Sequence, residues 1–230
     1  MEVPNIPGND VKEIDRAVFK LHNDLRENPK MLLPDLEEMT KQFDGMLMKR
    51  EGKVTLRTKE GVDAVKELIE YLKKQTSINP LKWVDHIQKA AIDHVNDIGP
   101  KGLIQHDSSD NKSGVKERMR KYGNVVSCYG ENISFHCDEA KEVMIQLLVD
   151  DGVPNRGHRE NIFNSEFHCM ACYSGEHKDF DNMTVIDYAG AFVPAGEPDP
   201  IEKQMDAFLK EDVVFEMPED VRSWKQNSKI

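Results

Sequence analysis

Two short stretches decide the fold of this 230-residue chain: residues 130–133 read Gly-Glu-Asn-Ile, and residues 157–163 read Gly-His-Arg-Glu-Asn-Ile-Phe. Two strand-like runs follow the second stretch, at residues 167–173 and 183–193, and a polar turn joins them. Runs of this composition are typical of adjacent antiparallel strands. We therefore predict a small antiparallel sheet in the carboxyl-terminal half of the chain.

The rest of the chain has helical spacing over most of its length. Apolar residues recur three and four positions apart near the amino terminus, at Val11, Ile14, Val18, Leu21 and Leu25. Such a stripe predicts an amphipathic helix. Similar patterns predict further helices after Pro34, over residues 62–72, over residues 81–98 and after Asp138.

The ends of these helices and the segments between them are predicted from local residue types. Thr58 is predicted to cap the helix over residues 62–72, and Asp138 is predicted to cap the helix that follows it. Residues 44–57 are predicted to be irregular. Residues 101–137 are predicted to be a loop with a short extended run at residues 124–127.

Composition excludes two classes of partner. The formal net charge of −11 supplies no basic excess to replace phosphate counterions, so we expect no nucleic-acid partner. No stretch approaches the roughly 20 apolar residues of a transmembrane helix, so we expect no membrane span. The hydrophobic fraction of 38% is enough to build a packed core, which argues against a disordered chain.

Five segments, in order along the chain, resemble one family of proteins. They are residues 21–26 (Leu-His-Asn-Asp-Leu-Arg), Leu81-Lys82-Trp83 with His94, His106 with Arg118 and Tyr122-Gly123, and the two stretches quoted above. Together they are similar to the CAP superfamily (cysteine-rich secretory, antigen 5 and pathogenesis-related 1 proteins; the SCP domain). The second stretch is closest to the bacterial and protist members.

The resemblance implies an α+β fold, a three-layer α-β-α sandwich with a small antiparallel sheet, to which extra amino-terminal helices are added. It implies a domain over residues 11–193, with a helical insertion at residues 29–80 where most members have a short link. Residues 1–10 are expected to be a flexible N-terminus. Residues 194–230 are expected to form an acidic C-terminal extension.

The family's central cleft holds two histidines and two acidic residues. By motif position these correspond to His106, Glu131 and His158, with either Asp150 or Asp151 in the fourth place. Two imidazoles with carboxylates suit a divalent cation such as zinc, which His106 and His158 would bind while water completes the shell. The alternative is a hydrogen-bonded polar cluster that orders loops and requires no cofactor.

The four cysteines are few for a secreted scaffold of this size, and free thiols are expected. Cys169-x-x-Cys172 lies near His168 and His177 and is therefore a candidate zinc site. In a strand, however, positions 169 and 172 point to opposite faces. We therefore expect these two cysteines to be core residues.

We expect a non-catalytic binding or scaffold protein and assign no catalytic residue. Residues 1–10 lack the features of a secretory signal, which favours an intracellular protein; secretion is the alternative if a leader has been lost. Protein partners are expected at residues 29–80 and 194–230, in a stable assembly such as a cytoskeletal structure. A lipid or sterol ligand is implied by the resemblance alone, and a metal-dependent hydrolase centred on His106, Glu131 and His158 is the least favoured alternative.

Overall fold

The structure is a computed structural model that describes residues 11–197. The expectations for residues 1–10 and for residues 198–230 lie outside the described residues. In the described part the α-helices are α1 (Glu13–Glu27), α2 (Leu33–Met39), α3 (Val62–Lys74), α4 (Asp85–Ile98), α5 (Val115–Arg120), α6 (Ala140–Val149) and α7 (Gly157–Ile162). The strands are β1 (Phe43–Asp44), β2 (Leu47–Met48), β3 (Leu56–Arg57), β4 (Lys82–Trp83), β5 (Gly123–Val125), β6 (Tyr129–Phe135), β7 (Cys169–His177), β8 (Asp181–Ala189) and β9 (Phe192–Pro194).

The central sheet has four strands in the order β4-β7-β8-β6. Strand β8 is antiparallel to both β7 and β6, and β4 pairs with β7 in parallel, so the sheet is mixed at one edge. Successive residues of β8 point to opposite faces of the sheet. Val185 packs with Val95 and Ile98 of α4, whereas Ile186 belongs to the core cluster that contains Val18 of α1 and Leu148 of α6. The predicted α-β-α sandwich is confirmed.

The prediction that residues 101–137 form a loop is wrong for strand β6. This strand pairs with β8 over its whole length, from Tyr129 opposite Ala189 to Phe135 opposite Met183. The strand lacks an alternating apolar pattern because its buried positions include polar residues, namely Glu131, Asn132 and Ser134. Each of these side chains has a hydrogen-bond partner, so burial does not require an apolar residue there.

Helix α1 is fixed by the polar residues of its His-Asn-x-x-Arg segment. Asn23 binds both the backbone N–H and the carbonyl of Leu81, at 2.8 and 3.0 Å. Arg26 is 1% exposed and donates to four backbone carbonyls, those of Asn79, Ile162, Asn164 and Phe167. Burial lowers the pKa of Arg26 to about 10. One guanidinium therefore fastens the end of the insertion and the loop after α7 to α1.

The insertion, residues 29–80, contains α2, α3 and a three-stranded antiparallel meander of β1, β2 and β3. The prediction that residues 44–57 are irregular is wrong, because this segment forms most of the meander. Thr58 is not the cap of α3, because its hydroxyl donates to the carbonyl of Met46 and the helix begins after Gly61. Asp138 is not a cap either, since Glu139 precedes α6 and makes no capping side-chain bond.

All four cysteines are free, and Cys128 is the only one of them that is not buried. Cys169 and Cys172 lie in two different core clusters, as expected for residues on opposite faces of a strand. No helix in the described residues is long and apolar enough to cross a membrane.

Candidate functional site

The first imidazole–carboxylate pair joins the loop before α5 to strand β6. Nδ1 of His106 lies 2.7 Å from Oε1 of Glu131, and Arg118 of α5 binds the other carboxylate oxygen. Arg118 also donates to the carbonyl of His106 at 2.7 Å. The imidazole is 54% exposed, whereas the Glu131 carboxylate is 1% exposed. A buried anion therefore holds one nitrogen of a solvent-accessible imidazole.

The charges of this pair stabilise each other. The hydrogen bond to Glu131 raises the pKa of His106 above its ordinary value, although burial opposes the shift. Burial alone would raise the pKa of Glu131, but the hydrogen bond from His106 and the charge of Arg118 outweigh it and hold that pKa below its ordinary value. Glu131 is therefore ionised at neutral pH, and it favours the protonated form of His106.

Asp187 lies beside this pair and was not anticipated from the sequence. It is directly opposite Glu131 in the β6–β8 register, which places both side chains on one face of the sheet. Asp187 is fully buried, and no hydrogen-bond donor among the described residues reaches either carboxyl oxygen. Burial, reinforced by the charge of Glu131, raises the pKa of Asp187 well above its ordinary value. The feature of the sequence that could have indicated this residue is a single aspartate within the buried run of β8.

The second pair lies at the start of α7. Nδ1 of His158 is 2.6 Å from Oδ1 of Asp150, and the backbone N–H of His158 donates to Oδ2 at 3.0 Å. Asp151 instead accepts hydrogen bonds from the backbone N–H groups of Lys59 and Glu60 in the insertion. Of the two aspartates left open by the sequence, Asp150 is the one that contacts the histidine.

The loop that carries Asp150 has an unusual backbone and is held by the insertion. Asp150, Gly152 and Arg156 all have positive φ, at 55°, 77° and 50°. Such conformations persist only where the surroundings enforce them. Arg156 binds both carboxylate oxygens of Glu60 at 2.7 Å, and Glu60 accepts the N–H of Gly152 at 2.6 Å.

A second acidic residue of the insertion completes this attachment. Glu67 of α3 accepts hydrogen bonds from Arg156 at 2.9 Å and from Arg159 at 2.7 Å. Arg159 is 1% exposed and also donates to the carbonyls of Leu148 and Val149 at the end of α6. We call Glu60, Glu67, Arg156 and Arg159 the insertion clamp.

The two imidazole–carboxylate pairs are joined through amides. Asn132 donates to the carbonyl of His158, and Asn161 donates to the carbonyl of Glu131 and to the Asn132 side chain. No hydrogen bond or ion pair within residues 11–197 links a side chain of one pair directly to a side chain of the other. These hydrogen bonds connect β6 with α7.

A divalent cation fits the chemistry of the two imidazoles in part. In both, Nδ1 faces a carboxylate, and Nε2 has no partner among the described residues. This is the arrangement by which carboxylates orient metal-binding histidines. No group of three or more histidine, cysteine, aspartate or glutamate side chains in the described residues is arranged to hold a metal ion. Protein donors would therefore supply only part of a cation's shell.

A groove with a volume of about 790 Å³ begins at the second pair and runs between the insertion and the core. One wall comes from the meander and its neighbours, including Phe43, Met48 and Leu56. The other comes from α6 and the end of β6, including Ile145 and Phe135. Asp150 and His158 also line it. We call this cavity the insertion groove.

The insertion clamp should make stability depend on acid pH. The hydrogen bond from Arg156 lowers the pKa of Glu60 from 4.5 to about 2, so the unfolded chain takes up the proton first as pH falls. The stabilisation is complete above about pH 4.5 and is lost as pH falls toward 2. Glu60→Gln removes this contribution, so its free energy of unfolding should fall less between pH 5 and pH 3 than that of the wild type.

Urea unfolding at a series of pH values measures this difference. Glu176→Gln, at an exposed strand position, is the matched control and should follow the wild type. Parallel pH profiles for Glu60→Gln and the wild type would contradict the role of Glu60 in the clamp.

The family model described as the cysteine-rich secretory protein family, CAP, matches residues 19–188. An outer surface protein of Borrelia burgdorferi is similar in structure, with 17% identity and a TM-score of 0.42, over 72% of this chain and 94% of that one. A search of curated proteins finds no match. Since the family model spans most of the sequence and includes both imidazole–carboxylate pairs, the chain belongs to the CAP family.

Proposed function

We propose that this CAP domain is a non-catalytic protein-binding domain whose partner occupies the insertion groove. The observation that carries the proposal is the composition of the groove walls, one from the insertion and the other from the core. Grooves with apolar side chains in their walls are a recurring docking site for segments of partner proteins. The groove combines apolar side chains such as Phe43 and Ile145 with the polar pair of Asp150 and His158 at one end.

The two serines that follow His106 and the buried cysteines of β7 support binding over catalysis. The hydroxyls of Ser108 and Ser109 donate to Asp110 and Asp97, at 2.6 Å each, and not to His106. Burial raises the pKa of Cys169 to about 11 and raises that of Cys172 well above its ordinary value, which favours the unreactive thiol form. An activated nucleophile needs a base within hydrogen-bond distance, and neither serine has an imidazole in that role.

The location of the protein, its assembly and a lipid ligand are also part of this proposal. An intracellular location, a cytoskeletal assembly and docking through residues 194–230 rest on the sequence. A lipid or sterol ligand rests on family resemblance. Two docking segments are expected. The groove supports the first of them, the insertion at residues 29–80, because the insertion forms one of its walls.

Two matched substitutions test the proposal. Leu56 is half-buried and lines the groove, whereas Ile104 is 63% exposed and does not. Leu56→Glu places a charge in the groove, and Ile104→Glu places the same charge elsewhere. Affinity purification from cells that produce the protein, quantified by mass spectrometry, should recover the same partner with the wild type and Ile104→Glu. Recovery with Leu56→Glu should fall by about ten-fold or more, since an unpaired charge in an interface costs several kcal/mol.

Unfolding curves first establish that both variants are folded. Equal recovery with folded Leu56→Glu and with the wild type would contradict binding in the groove, and so would the absence of any partner with the wild type.

A second candidate function is binding of a divalent cation, which the unpartnered Nε2 atoms of His106 and His158 favour. The cation would supply a positive charge that polarises bound water or ligand groups. In calorimetric titration with zinc chloride, we expect modest affinity for the wild type and none for the His106→Ala, His158→Ala double variant. Asp150→Asn should weaken binding by about 10-fold or more, because this carboxylate orients His158. Zinc binding that survives in the double variant would exclude these histidines as ligands.

A further inference from the structure

Strand β6 forms one edge of the central sheet, and its free side can be identified from the hydrogen bonds to β8. The N–H of His136 donates to the carbonyl of Asn182, and the N–H of Gly190 donates to the carbonyl of Cys128. Backbone groups in an antiparallel pair alternate in direction along the strand. Even-numbered residues of β6 therefore face β8, and odd-numbered residues turn their N–H and C=O groups to the free side.

Side chains occupy part of this free side. The Gln146 amide accepts from the N–H of Phe135 at 3.1 Å and donates to its carbonyl at 2.9 Å. Gln146 thus reproduces both hydrogen bonds that a neighbouring peptide unit would make. Asn161 donates to the carbonyl of Glu131 at 3.3 Å. Side chains that cover an edge in this way prevent unwanted strand pairing.

Ile133 lies between these two positions; it is 7% exposed, and no side chain of the described residues binds its main chain. Its N–H and C=O have no hydrogen-bond partner among the described residues. The Ile133 side chain packs with Ala91 and Val95 of α4, on one face of the sheet. Ile133 nevertheless lines the insertion groove, so the part of it that faces the groove is the main chain.

The groove lining carries six carboxylates and four basic side chains, and three of the four basic side chains come from the meander. Arg50 and Lys53 line the groove and both pair with Glu142 of α6. Arg57 of β3 also lines the groove, is exposed, and has no ion pair or hydrogen bond with other described residues. An occupant of complementary charge would therefore present a carboxylate to Arg57.

Resting on the proposed function, we propose that the partner enters the insertion groove as an extended peptide segment that adds a strand to the free side of β6. Its main chain pairs with the N–H and C=O of Ile133 and displaces Gln146 from Phe135. An acidic side chain of the peptide faces Arg57, and an apolar side chain contacts the lining around Phe43 and Ile145. Strand addition takes its affinity from main-chain hydrogen bonds and its specificity from alternate side chains.

Peptides selected on the full chain test this proposal. A phage-displayed library of random heptapeptides is selected against the immobilised protein, and the best sequence is synthesised with a fluorophore for anisotropy titration. We expect an acidic residue beside alternating apolar residues. Arg57→Glu should weaken binding by about 10-fold, the equivalent of one charge-assisted hydrogen bond, while the matched Arg120→Glu should leave it unchanged.

A second experiment tests the main-chain hydrogen bonds between the peptide and β6. A scan with single N-methyl amino acids should weaken binding by about ten-fold at alternate positions and little at those between them, because only alternate N–H groups face the strand. Gln146→Ala removes the competing amide and should tighten binding several-fold, even though it destabilises the fold slightly. A ligand held only by side chains would not respond in either way.

The outcomes separate this proposal from the proposed function. No enriched peptide, or a bound peptide that is insensitive to N-methylation and to Gln146→Ala, would overturn strand addition. The groove would then still bind its partner if Leu56→Glu abolishes partner recovery. Strand addition is upheld by an alternating N-methyl pattern together with tighter binding to Gln146→Ala.

Discussion

The attachment of the insertion to the core depends on two arginines, Arg156 and Arg159, that meet two glutamates of the insertion. Arg159 is almost fully buried, and Glu67 and the carbonyls at the end of α6 surround its guanidinium. A buried charge that is not paired in this way is strongly destabilising. Removal of the insertion would therefore expose a wall of the groove and also leave Arg159 without its anion.

The same attachment determines the local geometry at the second histidine. The segment from Asp150 to Arg156 has three residues with positive φ, two of which are not glycine. Glu60 holds this segment through Gly152 and Arg156, and the turn directs Asp150 toward His158 while Asp151 points to the insertion. The insertion thus supports one of the two imidazole–carboxylate pairs.

Much of the framework could be predicted from the sequence, because its signals are local or belong to a motif. The stripe of α1 and the paired runs of β7 and β8 follow from apolar spacing. Arg26, which is buried, and Asn23, which binds Leu81, both belong to the opening motif. Strand β6 could not be predicted, because the residues that distinguish it are polar and are satisfied by partners from distant elements.

The site was predictable as a set of residue types but not as an arrangement. His106, Glu131 and His158 could be named from motifs, whereas the choice between Asp150 and Asp151 depends on a backbone turn that spacing does not encode. Asp187 stands out in the sequence as an aspartate in a buried run, but its place in the site follows from the strand register, which puts it opposite Glu131. The groove results from contacts between residues about 90 positions apart, and no local pattern records them.

The central claim is that the main chain of Ile133, at the edge of the sheet beside the insertion groove, is unpaired in the free protein, and amide hydrogen exchange measured residue by residue tests it most directly. The account predicts that the amide of Ile133 exchanges faster than those of Asn132 and Ser134, whose N–H groups face β8, because an amide without a hydrogen bond lacks protection against exchange. It also predicts that a peptide bound in the groove slows exchange at Ile133. Equal, strong protection of all three amides in the free protein would contradict the claim.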